Sequence, residues 1–438
     1  MGRVMTKFCS WGHYPPARHL SVERLPDRFA TLPPAGASLL PYGNGRSYGD
    51  VCLNDGGRLL HTRGLDRFIA FDELQGVLRC EAGITLAEIL RFALPRGWFL
   101  PVTPGTSHVT LGGAIANDVH GKNHLRMGSF GRHVRAFELL RSDGSRRLCT
   151  PDEQADWFAA TVGGLGLTGI ITWAEIALRP VAGPWLESET IKFGCLDEYF
   201  PLCSDSAESH EYRVAWFDCV ARGPALGRGL FIRANHARPE VTMVEPKERH
   251  WGLPFTPPLS LINKLSLRAF NACYWHRQRQ PVSHHLTHYR SYFYPLDGLA
   301  HWNRLYGPHG FMQFQCVIPD GAAEEAVAEL LKLIADSGDG SFLAVLKPFG
   351  SLSSPGLLSF PRHGTTLALD FPNRGPATLA LLGRLAEVTM EFSGALYPAK
   401  DACMSGVHFR QAYPLWERFT EYVDPQFSSG FWRRVMDK

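Results

Sequence analysis

The run Pro104-Gly105-Thr106-Ser107-His108-Val109-Thr110-Leu111-Gly112-Gly113-Ala114-Ile115-Ala116-Asn117-Asp118-Val119-His120-Gly121-Lys122-Asn123-His124 carries the first decision about this chain. Its glycines fall in two groups. Pro104–Thr106 suits a nest whose backbone N–H groups turn inward toward an anion. Leu111-Gly112-Gly113 opens a helix with Thr110 as its cap, and a helix N-terminus favours a diphosphate. A third group stands upstream, Gly43-Asn44-Gly45-Arg46-Ser47-Tyr48-Gly49-Asp50, directly after the apolar run Leu39–Pro41. Each group alone fits an ordinary tight turn. Three in one domain suit an extended dinucleotide better than a mononucleotide.

A fourth group, Gly163-Gly164-Leu165-Gly166-Leu167-Thr168-Gly169, has glycines spaced as in a Rossmann fingerprint. That motif needs a helix after the glycines. Ile170-Ile171-Thr172-Trp173 follow instead and favour a strand. The Rossmann reading is rejected.

Around these groups the first third of the chain reads as short buried strands. Arg58–His61 is one. Arg67–Phe71 and Gly76–Cys80 form a hairpin closed around Asp72–Gln75. Thr85 and Glu88 make a capping box for a helix with Leu86, Ile89, Leu90 and Ala93 on one face, ended before Pro95 and Gly97. The chain changes character at Arg179–Pro184. Beyond it, Gln313–Ile318 and Thr366–Asp370 read as strands, and Glu324–Ser337 and Pro376–Phe392 as amphipathic helices.

With 438 residues, two or more packed units are expected. An apolar fraction of 45% and a charged fraction of 20% place the chain among globular proteins. A net charge of +3 is too small to argue for nucleic acid as a partner. Ten cysteines stand without CxxC or zinc-finger spacing, so a reduced intracellular protein without a structural metal is expected. No signal peptide or membrane span is legible. Gly2 with Thr6 matches an N-myristoylation pattern too short to carry weight.

The run Pro104–His124, continued by Gly128-Ser129-Phe130-Gly131, resembles the FAD-binding domain of the vanillyl-alcohol oxidase type of flavoproteins. Within that type it is similar to one branch, the flavin subunits of decaprenylphosphoryl-β-D-ribose 2′-epimerases. Further matches follow in order: Gly45–Asp50, Ala160–Ile171, Ala215–Asp218, Tyr294–Asp297, Gly310–Pro319, Lys347–Gly350, Asp370–Pro372 and Tyr397–Asp401. The resemblance therefore covers nearly the whole chain. It implies an α+β fold: a two-part FAD-binding domain of the vanillyl-alcohol oxidase/p-cresol methylhydroxylase type, plus an antiparallel-sheet substrate domain. Residues 1–182 would form the FAD domain, 183–394 the substrate domain, and 395–438 a segment returning to the first.

The resemblance also implies roles. Cofactor contacts would come from Gly43, Asn44, Gly45, Arg46, Ser47, Tyr48, Gly105, Thr106, Thr110, Gly112, Gly113, Asn117, His120, Gly121, Asn123, Gly169 and Ile170. Many relatives attach the flavin covalently through a His in the first glycine loop. Here Gly45-Arg46-Ser47-Tyr48 offers neither His nor Cys, so dissociable, non-covalent FAD is expected, with His120 a pocket residue. His124 is the other remaining attachment candidate. Lys400 is expected to serve as base or proton relay, because a desolvated lysine has a lowered pKa. Tyr48 and Tyr397 would assist through their hydroxyls. Gln313 and Gln315 share a strand face and would meet sugar hydroxyls. Lys347, on a neighbouring strand, and Lys122 would meet a phosphate, and Trp216 would form an apolar wall. Ala368 and Thr366 stand where the branch has Cys and Asn, so pocket shape does not transfer safely.

From Arg249 to Leu296 there is no acidic residue, and Lys264, Arg268, Arg277, Arg279 and Arg290 alternate with aromatics. Leu261–Trp275 is expected to form a basic amphipathic helix, either a solvated face or a lid that meets lipid. The expected reaction is FAD-dependent oxidation of a sugar secondary alcohol, the 2′-hydroxyl of a polyprenyl-phosphoryl ribose. The expected partners are that lipid-linked sugar phosphate, an NAD(P)H-dependent reductase for the keto product, and a quinone or other electron acceptor. The expected location is cytoplasmic, peripheral to the plasma membrane. Two rivals remain: a soluble sugar or aldonolactone oxidase, and a non-catalytic flavin-binding module of a membrane complex.

Overall fold

Three sheets organise the protein, and each follows from the strand periodicity of its sequence. A computed structural model describes residues 8–238 and 251–437. Gly2, Thr6, Arg249 and His250 lie outside them. Ser21–Arg24, Arg58–His61 and Leu39–Tyr42 pair in parallel, in that spatial order. A second, antiparallel sheet has the order Phe68–Asp72, Val77–Glu81, Ile170–Ala177, Val134–Leu140, Arg146–Cys149. The strand after the fourth glycine group is thus central in this sheet, and no helix follows those glycines.

The Thr85 cap forms as expected. Its hydroxyl accepts from the Glu88 N–H, and the Glu88 carboxylate accepts from the Thr85 N–H. Such a cap contributes about 1 kcal/mol. The helix runs Leu86–Ala93 and buries Leu86, Ile89, Leu90 and Ala93.

The third sheet is antiparallel and has eight strands. Its order is Val282–His288, Trp185–Phe193, Gly229–His236, Tyr212–Phe217, Ala344–Phe349, Gly364–Pro372, Phe311–Ile318, Ala395–Leu396. Side chains alternate across it. Met312, Phe314 and Cys316 enter the main core, with Leu330, Leu331 and Ile334 of helix Ala323–Ser337 and Leu381, Leu382 and Leu385 of helix Pro376–Glu391. Gln313 and Gln315 turn the other way, into a cavity.

The last strand, Ala395–Leu396, pairs with Cys316 and Val317. The returning segment therefore begins inside the large sheet and leaves it only after Leu396. It then meets the first parallel sheet: Leu39 N–H donates to Gln426 O, and Ser428 N–H donates to Leu39 O. Arg434 bridges the buried carboxylates of Asp50 and Asp401. All ten cysteines are free thiols. No helix among the described residues is long and apolar enough to cross a membrane.

The basic helix starts later than the sequence suggests, at Lys264, and ends at Arg277. Asn263 is the reason. Its side chain accepts from the N–H groups of Leu265 and Ser266, which stops the helix from extending back to Leu261.

Candidate active site

A single cavity of about 1620 Å³ runs from the glycine groups to the inner face of the eight-stranded sheet. Drug-sized ligands occupy roughly 300–1,000 Å³, so this space holds a dinucleotide and part of a second molecule.

Gly43–Tyr48 forms one wall. Gly45 adopts φ +58°, a left-handed conformation that suits glycine. The N–H groups of Asn44, Gly45, Arg46 and Ser47 find no acceptor among the described residues. A Cβ on Gly43 would lie 2.5 Å from Thr110 Oγ1, so the Gly43 and Leu111 groups touch. Arg46 lies over the Trp11 ring at 4.5 Å.

The other two groups differ from expectation. Helix Leu111–Ala116 is capped by Thr110, but its first N–H groups are already used. Leu111 donates to Ile84 O, Gly112 to Ala82 O, and Gly113 to Thr110 Oγ1. This helix end has no free donors for a diphosphate. The Pro104 nest instead grips a protein carboxylate. Asp297 accepts from Thr106 Oγ1 at 2.6 Å and from the Ser107 N–H and hydroxyl at 2.8 Å. The open donors of Asn44–Ser47 remain as the anion cradle. Asn117 Oδ1 is buried, lines the same cavity and has no partner. A chain of free N–H donors and an orphaned acceptor fit FAD, which carries a diphosphate and a ring with N–H groups.

The chamber beyond is built on the large sheet and the tail. Tyr48 N–H donates to Ala399 O at 3.0 Å, which ties the first glycine loop to Tyr397–Asp401. Lys400 Nζ then sits 3.8 Å above the centre of the Tyr48 ring. Burial lowers the Lys400 pKa, and Asp370 opposes that shift. Burial raises the Asp370 carboxyl. Asp370 accepts from Gln313 at 2.6 Å and from the Tyr306 hydroxyl at 3.4 Å.

His120 is buried between Phe349 and Tyr397. Desolvation, then the neighbouring Lys347 charge, pulls its pKa well below the ordinary value, so the ring is neutral. Lys347 Nζ lies 3.1 Å from Nδ1, and the Gln315 amide lies 2.9 Å from Nε2. The same Gln315 amide nitrogen donates to Thr366 Oγ1 at 3.3 Å, so the amide spans His120 and Thr366. Burial lowers Lys347 to about 7, helped by the charges of Lys122 and Lys400. Burial alone lowers Lys122 to about 7. Lys122 donates to Tyr292 O and lies 4.5 Å over that ring. Trp216 and Ala368 line the same space.

Most residues expected at the site converge here, but five differ. Asn123 is buried away from the cavity and donates to Pro101 O and Glu211, a bracing role. His124 also faces away and accepts from Gly350 N–H. Thr366 donates to Cys316 O and lies behind Gln315 rather than in the wall. The Tyr397 hydroxyl donates to Asn117 O at 2.8 Å and its ring stacks on Phe360, so it positions the chamber. Lys347 stands one strand removed from Gln313 and Gln315, across Thr366.

Two residues were missed. Asp370 shares the strand face of Ala368, and period-two alternation alone was a usable signal. Asp297 had no local signal, because its partners lie about 190 residues upstream.

A domain family described as "FAD binding domain" matches residues 21–150. The decaprenylphosphoryl-β-D-ribose oxidase of Mycolicibacterium smegmatis is 37% identical over 91% of this chain and 89% of its own. An uncharacterised protein of Streptomyces coelicolor is 35% identical over 80% of this chain and all of its own length. Human delta(24)-sterol reductase is 33% identical over 25% of this chain and 21% of its own.

Proposed function

The chain belongs to the decaprenylphosphoryl-β-D-ribose oxidase family of FAD-dependent oxidoreductases, and from that premise we propose that it oxidises the 2′-hydroxyl of a polyprenyl-phosphoryl ribose. The observation that carries this reading is the chamber itself. Three half-buried lysines, Lys122, Lys347 and Lys400, face one space that is continuous with the glycine cradle.

FAD, when bound, supplies the acceptor for the carbinol hydride. The remaining work falls to the protein. Asn44–Ser47 would hold the diphosphate, and Asn117 would accept from the cofactor. Lys400, whose pKa burial lowers to about 8, takes the hydroxyl proton in its neutral form as the carbinol C–H bond breaks and the C=O forms. Asp370 and Tyr48 hold its amine in place. Lys347 and Lys122 meet the substrate phosphate as point charges. Gln313 and Gln315 orient the ribose hydroxyls, and Trp216 closes one side. The same reading assigns residues 1–182 and 395–438 to the cofactor and 183–394 to the substrate. It passes the ketone to an NAD(P)H-dependent reductase, and the electrons to a quinone or other acceptor.

An anaerobic absorbance spectrum tests it, taken before and after adding a polyprenyl-phosphoryl ribose analogue. Bleaching of the flavin band is expected, as is complete release of flavin on acid precipitation, since no covalent anchor stands in the first glycine loop. A band that only soluble sugars or lactones bleach would transfer the reaction to them. An inert flavin would leave a non-catalytic module.

A further inference from the structure

We propose that helix Lys264–Arg277 and the loop before it form a docking face for an anionic lipid surface, set beside the mouth of the active-site cavity; the inference deepens the lipid-linked substrate reading and rests on it. Large apolar side chains are exposed here in a close run. Phe255, Leu259, Leu261 and Leu265 are 67%, 77%, 47% and 80% exposed. Lys264, Arg268 and Arg279 are exposed among them. None forms an ion pair with a carboxylate among the described residues, and the sequence supplies no acid between positions 249 and 296.

The helix is anchored from beneath. Leu267 and Asn271 are buried, and Asn271 donates to Asp218 at 2.9 Å. A second face carries Phe270, Tyr274 and Arg277, spaced i, i+4 and i+7, and all three line the cavity. Phe270 is still 39% exposed, so it belongs to the rim. One helix thus turns a cationic, apolar surface outward and an aromatic surface into the chamber.

A protein partner fits this face poorly, because the centre of a protein interface is depleted of charge and a buried, unpaired cation is costly. A bilayer surface satisfies both features together. Acyl chains take the leucines, while anionic headgroups take the arginines. A prenyl chain could then stay in the lipid while its sugar phosphate crosses only the width of one helix.

The test floats the FAD-loaded full chain with vesicles of phosphatidylglycerol and phosphatidylcholine, and with phosphatidylcholine alone. Partition onto the anionic vesicles is expected, weakened by salt. The double variant Leu265→Asp, Arg268→Glu should lower it about tenfold or more. Its flavin content, circular dichroism and flavin bleaching by a short-chain, water-soluble analogue should match the parent. No partition, or partition that the double variant leaves intact, overturns the proposal. So does a concentration-dependent dimer lost in the same variant, which would give the face to a second copy. If the analogue bleaches neither protein while the vesicle result holds, the substrate reading fails and the docking face stands.

Discussion

Asp297 and Ser107 lie 190 positions apart, yet one Asp297 carboxylate oxygen accepts from both the N–H and the hydroxyl of Ser107 at 2.8 Å. The other oxygen takes Thr106 Oγ1 at 2.6 Å. The segment after Tyr294 is thereby latched across the cavity onto the Pro104 loop, where Thr103 and Tyr294 also share a hydrogen bond.

Charge-assisted hydrogen bonds of this kind contribute roughly 1.5–3 kcal/mol each. Asp297→Asn keeps the shape and removes the charge. The Pro104–Ser107 loop should loosen, and the dissociation constant for FAD should rise about tenfold or more, read by flavin fluorescence titration. An unchanged constant would show that the latch does not support the cofactor.

Lys400→Met should slow flavin reduction by about 10²–10⁴-fold, the usual contribution of a general base. FAD affinity should stay within about twofold. Lys400→Arg should not rescue the rate, because a guanidinium does not give up its proton. Stopped-flow reduction under anaerobic conditions separates these outcomes.

The half-buried lysines make both activity and stability depend on pH. Lys347 and Lys122 must be charged to hold a phosphate, and both stand at about 7 without it. KM should rise above that pH, while kcat rises as Lys400 loses its proton, giving a bell-shaped kcat/KM. The folded pKa of Lys347 lies below its unfolded value of about 10.4. The unfolded chain therefore binds more protons between those two values, and burial of Lys347 is most costly below about 7. Lys347→Met should raise the melting temperature at pH 7, by the equivalent of up to about 4 kcal/mol. That advantage should vanish as pH approaches about 10. A constant advantage across pH would mean that the charge is not what destabilises the site.

Two glycines separate folding from cofactor binding. A Cβ on Gly105 meets nothing within 4 Å, so Gly105→Ala should leave the apoprotein melt unchanged. If the cofactor approaches that backbone, FAD affinity should fall about tenfold. Gly43→Ala instead pushes on Thr110, the cap of Leu111–Ala116, and should lower both stability, by about 1 kcal/mol, and affinity. Differential scanning fluorimetry with and without FAD reads both.

Sequence alone determined whatever depends on near neighbours. The Thr85–Glu88 box, the strand after Gly169, the two faces of Phe311–Ile318 and the helix Ala323–Ser337 rest on caps and on periods of 3.6 or 2. The ordered motifs carried the family and the flavin. Tertiary structure decided which donors stay open. The N–H groups at Leu111–Gly113 looked free, but Ile84, Ala82 and Thr110 take them. It also placed Lys400 over Tyr48 and Asp297 in the Pro104 nest. The physical reason is that a pKa depends on how much water a group loses and which charges surround it. A donor's availability depends on which distant acceptor reaches it. Neither quantity is a property of a short stretch of chain.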